Sequence, residues 1–159
     1  MTVQFADDRD DPPLSGDVDA SELQNLAAAT LRREGLPNSV EVSITLIDEA
    51  AMAALNRTHM GLAGATDVLS FPLETLTPGS PPPPAGDGPP LYIGDVFICP
   101  AVVASNATTA QVAFADEMAL MVVHGLLHLL GYDHIVDSEA EQMEQREQEM
   151  LSAVGRVRP

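Results

Sequence analysis

The chain has 159 residues, 45% of them apolar, which is enough for one domain with a sizeable core. It carries 24 acids against seven arginines and no lysine, a net charge of −17, which argues against a protein that coats nucleic acid and against a DNA-binding role. Cys99 is its single cysteine, no apolar run reaches the roughly 20 residues that span a bilayer, and the acidic start MTVQFADDRDD has no signal-type apolar core, so a cytoplasmic protein without disulfides is expected.

Val3 and Phe5 alternate with polar neighbours and begin a short strand. A charged, proline-containing loop is expected over residues 7–16. Asp17 or Asp19 then caps a helix running to about Glu34, with Leu23, Leu26, Ala27 and Leu31 on its apolar face. Val40, Val42, Ile44 and Leu46 alternate with polar residues from Ser39 onward and predict a half-buried strand. Asp48 is placed to cap a helix from Glu49 to about His59.

Thr66 to Pro72 (TDVLSFP) and Leu91 to Ile98 (LYIGDVFI) read as two more strands. Seven of the sixteen residues from Thr75 to Pro90 are proline, so this stretch reads as a flexible or polyproline loop insertion within a single domain spanning 1–159. Pro100 suits the start of a short helix. Phe114 to Leu130 predicts the central buried helix, because Met118 to Val123 is apolar all round. A last, acidic helix is expected from Ser138 to about Val154, with Ser138 and Glu141 as a capping box.

The central helix ends in HGLLHLLGYDH, which holds three of the four histidines in eleven residues. His124 and His128 are four apart and share a helical face, the spacing at which two imidazoles grip one metal ion. Gly131 permits a left-handed turn that brings back His134 as a third ligand. Three neutral nitrogens leave a tetrahedral zinc one open position, the arrangement of a catalytic site.

TDVLSFP, the GDVFI of Gly94 to Ile98 and HGLLHLLGYDH, in this order along the chain, resemble the YbeY family of bacterial metal-dependent endoribonucleases. The resemblance implies an α+β fold of the zincin-like type, with a small mixed four-stranded sheet packed against about five helices around the metal helix. It implies one Zn²⁺ per chain on His124, His128 and His134. It also implies a single-strand-specific endoribonuclease that matures the 3′ end of 16S rRNA and serves ribosome quality control. The partners implied are ribosomal RNA, the small ribosomal subunit and a ribosomal protein or assembly factor.

Many members of that family carry a Tyr-Arg pair before the TDVLSFP strand, where this chain has His59 and Met60. Arg57, three residues before Met60, is the candidate to supply the missing charge, and Arg32 and Arg33 are candidates for one side of a cleft. Asp133, beside His134, is a candidate general base or a residue that orients the histidine. Asp67 and Asp95 either flank the site or serve strand-end hydrogen bonds. Asn56, Thr66 and Ser70 either bind RNA or hold the fold. Gly125 stands where HExxH peptidases carry their glutamate base, which weighs against the alternative of a peptidase. A ribosome-associated protein with a structural metal is the other alternative.

Overall fold

The computed structural model describes residues 1–10 and 17–159, so residues 11–16 of the expected acidic loop lie outside the described residues. Four strands form one mixed sheet: β1 (Thr2–Asp7), β2 (Val40–Leu46), β3 (Val68–Pro72) and β4 (Leu91–Ile98), in the spatial order β1-β2-β4-β3. β1 and β4 flank β2 in parallel, and β3 runs antiparallel to β4. Two parallel neighbours need crossovers. The first is α1 (Ala20–Arg33); the second runs through α2 (Glu49–Leu55) and β3.

The alternation in β2 does what its pattern predicts, burying Val40, Val42, Ile44 and Leu46. These side chains join the main core with Leu23, Leu26 and Leu31 of α1 and with α4 (Phe114–Leu129). α4 packs against β3 and β4 on one side, and against α1, α3 (Pro100–Ala110) and α5 (Asp137–Ser152) on others. Enclosure on several sides explains why its sequence is apolar all round. A smaller cluster of Ile47, Met52, Leu69 and Cys99 closes the opposite face of the sheet.

Several expected boundaries shift. Asp19 caps α1, its carboxylate accepting from the Glu22 N–H at 3.0 Å. Asp48 precedes α2, but its carboxylate accepts from Asp10 N–H at 2.8 Å instead of capping. The helix predicted to reach His59 stops at Leu55 and widens into a π-helical turn, Asn56–Met60, ended by Gly61. The capping box at Ser138 does not form: the helix begins at Asp137 with Val136 as N-cap, and Asp137 and Glu139 instead place negative charge in the first turn. The proline-rich connection is docked at named points. Leu76 packs against the main core, and the Ala85 N–H donates to Ser39 Oγ at 3.1 Å.

Candidate metal centre

α4 ends in a complete Schellman motif. Gly131 adopts φ +97°, its N–H donates to the His128 carbonyl at 3.1 Å, and the Tyr132 N–H donates to the Leu127 carbonyl at 3.0 Å. A Cβ at Gly131 would lie 2.2 Å from the Leu76 carbonyl oxygen, so the proline-rich connection crosses this turn and leaves no space for a side chain. The reversal aims the Tyr132 carbonyl back at His128 Nδ1, 2.9 Å away. It also returns the chain so that His134 meets the other two histidines. Asp133 Oδ1 accepts the His134 N–H at 2.7 Å and fixes this last step.

His124, His128 and His134 converge, with one ligand nitrogen from each within 4.8 Å of the others. His124 Nε2 and His128 Nε2 are 3.1 Å apart. Metal–nitrogen bonds of about 2.0–2.1 Å at a tetrahedral angle put two ligand nitrogens about 3.3 Å apart, so the pair is spaced for one ion. The outer nitrogens say the same. A carbonyl only accepts, so His128 Nδ1 must donate to Tyr132. His124 Nδ1 lies 2.9 Å from the Glu147 carboxylate, which likewise accepts. In the neutral tautomers fixed by these partners, both Nε2 atoms carry lone pairs that face each other. A cation between them removes that repulsion. Burial, and then the neighbouring His124, lower the His128 pKa below its ordinary value, which keeps the ring a neutral ligand.

Glu147 of α5 is a residue that sequence reasoning missed. Its side chain is 2% exposed, held between His124 and Arg158, whose Nε donates at 3.3 Å. A signal was present. Met143, Glu147, Met150 and Leu151 form the buried stripe of α5, and a carboxylate in such a stripe needs a partner across the interface. A carboxylate behind a ligand histidine fixes its tautomer and raises its basicity.

Gly125 is explained by packing. A Cβ there would lie 2.6 Å from Val96 Cγ1, and Ser70 Oγ donates to the Gly125 carbonyl at 2.9 Å. The sheet therefore sits directly on the position where a peptidase needs its glutamate.

The histidines open onto a cleft of about 650 Å³ whose walls include Asn56, Met60, Thr66, Asp67, Ser70 and Asp133. Each of these polar residues also has local work. The buried Asn56 donates from Nδ2 to the Gly64 carbonyl at 2.9 Å, holding the loop after the π-helical turn. Asp67 Oδ1 accepts from the Val68 N–H at 2.8 Å, and from Thr66 Oγ1 at 3.3 Å. Asp95 lies on β4, where Tyr92 Oη donates to it at 2.5 Å, and it lines neither histidine cavity. Arg57 is exposed and also absent from those walls. The π-helical turn is wider than an α-turn, so a residue three positions before Met60 no longer shares its face. Arg32 and Arg33 are exposed in the last turn of α1 and line neither cavity.

A mixed sheet under a long buried helix, with three histidines converging at the helix's capped end and an open cleft before them, defines an α+β protein with a three-histidine cluster able to hold a metal ion. The family model described as Endoribonuclease YbeY matches residues 7–155. The chain is 42% identical over 135 residues to "Endoribonuclease YbeY" of Mycolicibacterium gilvum, covering 85% of this chain and 75% of the relative. It is 41% identical over 155 residues to the protein of the same name from Acidothermus cellulolyticus, covering 96% and 91%. The solution structure of TM1509 from Thermotoga maritima superposes with a TM-score of 0.58 at 25% identity, covering 96% of this chain and 91% of that one. The chain belongs to the YbeY endoribonuclease family.

Proposed function

We propose that this chain is a zinc-dependent, single-strand-specific endoribonuclease that hydrolyses phosphodiester bonds in maturing 16S rRNA, at its 3′ end and in ribosome quality control. The observation that carries the reading is the pair of opposed Nε2 atoms 3.1 Å apart, each fixed as an acceptor by the partner of its own Nδ1. Three nitrogen donors suit zinc, and three protein ligands leave a place for water or substrate. Bound there, zinc supplies a water acidified to a pKa of about 7 and a Lewis acid for a phosphoryl oxygen.

The chain's own residues prepare this chemistry. Glu147 and the Tyr132 carbonyl hold His124 and His128 in the ligand tautomer. Asp133 has one oxygen on the His134 N–H and the other available to accept a proton from attacking water. Asn56, Thr66, Asp67 and Ser70 present polar atoms along the cleft for ribose hydroxyls and base edges.

The net charge of −17 opposes strong binding to naked RNA, so docking on the small subunit, through rRNA and a ribosomal protein or assembly factor, supplies target choice. Such a substrate places the chain in the cytoplasm. The test is a chelator-controlled assay on precursor small-subunit rRNA, with metal analysis of the purified protein. We expect one zinc per chain and cleavage that stops with the chelator and with His124→Ala. Cleavage that survives both would overturn the proposal.

A further inference from the structure

We propose that Arg158 and a second cavity behind His124 form a nucleotide subsite, in which the guanidinium takes the phosphate beside the scissile bond and the cavity takes that nucleotide's base. The inference rests on RNA as the substrate. Among the described residues, the walls of the main cleft contain no arginine or lysine. The adjoining cavity, about 260 Å³, shares Asp67, Val68, His124 and His134 with the cleft and adds one cation, Arg158.

The other arginines near the fold's acids are committed elsewhere. Arg9 pairs with Asp7, Arg146 with Glu34 and Glu149, and Arg156 with Glu22 and Asp116. Arg158 is held more loosely. Its Nε donates to Glu147 and its Nη1 to the Pro159 carbonyl, both at 3.3 Å, and its Nη2 has no partner among the described residues. A guanidinium whose Nη2 has no partner among the described residues, beside the three histidines, is placed to donate to a phosphate oxygen.

The cavity also suits a base. It is slightly below the range of about 300–1,000 Å³ for small-molecule sites, so it takes one nucleotide and not a strand. Leu120, Met121 and Met143 supply apolar wall, and methionine thioethers make favourable contacts with aromatic rings. Asp67 and Glu144 at the walls repel a run of phosphates, which limits the subsite to a single one. Arg158 lies beyond the residues 7–155 matched by the family model.

The test uses zinc-loaded protein and a fluorescein-labelled, single-stranded 2′-O-methyl RNA decamer, with binding followed by anisotropy across a salt series and zinc content measured in parallel. Arg158→Ala should weaken binding about tenfold. It should also reduce the dependence of log affinity on log salt by about 0.7, one phosphate contact. Arg33→Ala removes the same charge at an exposed site and should bind as wild type. Ala140→Phe, which fills the cavity, should weaken binding while thermal stability is kept. The subsite is wrong if Arg158→Ala matches Arg33→Ala, or if Arg57→Ala shows the loss instead. It is also wrong if Arg158→Ala loses zinc in step with binding, since Arg158 then only props Glu147. A wild type that binds the decamer but cleaves no RNA overturns the endonuclease reading itself, an outcome distinct from these.

Discussion

Glu147 reaches His124 from a different helix, and among the described residues its buried carboxylate pairs with the imidazole N–H and with Arg158. Replacing it by glutamine removes the charge that favours the donor at Nδ1 while keeping the shape. Glu147→Gln should lower zinc affinity by about 10–100-fold, read by competition with a chromophoric chelator. Unchanged affinity would show that the contact is only packing. His128 offers a second check, in the chelated protein. Its pKa is lowered in the fold, so the unfolded chain binds more protons at this ring, and stability rises with pH. That stability is fully present above the ordinary histidine value of about 6.5 and is lost as pH falls through it, levelling off below the folded value. Thermal melts between about pH 7.5 and pH 5 should fall more steeply for wild type than for His128→Gln.

The end of α4 is a cap, a crossing loop and a ligand at once. Gly131 sits at φ +97° beneath the Leu76 carbonyl, so an added methyl meets both backbone strain and a clash at 2.2 Å. Gly131→Ala should destabilise the fold by about 1–2 kcal/mol or more in a urea titration. Because the same turn presents His134, zinc affinity should fall with it, which an ordinary exposed glycine substitution would not cause. The π-helical turn after α2 is a second element with a local effect. It brings Asn56 and Met60 to the cleft wall and leaves Arg57 outside it.

Across the whole molecule, 24 acids against seven arginines produce self-repulsion that opposes compactness. Raising salt from low to physiological ionic strength shortens the screening length from about 30 Å to about 8 Å. The melting temperature should therefore rise with sodium chloride, and a metal ion held by the folded three-histidine cluster should raise it again, with added zinc as the probe. A melting temperature indifferent to both would contradict the charge argument and the metal site together.

Much of this protein was legible in order along the chain. Period-two alternation in Val40–Leu46, the all-round apolar run of Met118 to Val123 and the histidine spacing with Gly131 are local patterns, and each survived as β2, α4 and the three-histidine cluster. Local sterics and hydrophobic burial decide such patterns, so a single sequence contains them. The rest depended on partners distant in sequence. Glu147 is 23 residues from His124, Gly125 is glycine because Val96 lies on it, and Arg158, beyond α5, lines one cavity with His124 and His134 and donates to Glu147. Arg57 and Met60 parted company when the helix widened into a π-turn, which no spacing rule for an α-helix anticipates. The sequence by itself determined that three imidazoles would meet; tertiary packing decided which carboxylate and which guanidinium stand behind them, because only folding brings those charges within hydrogen-bond range.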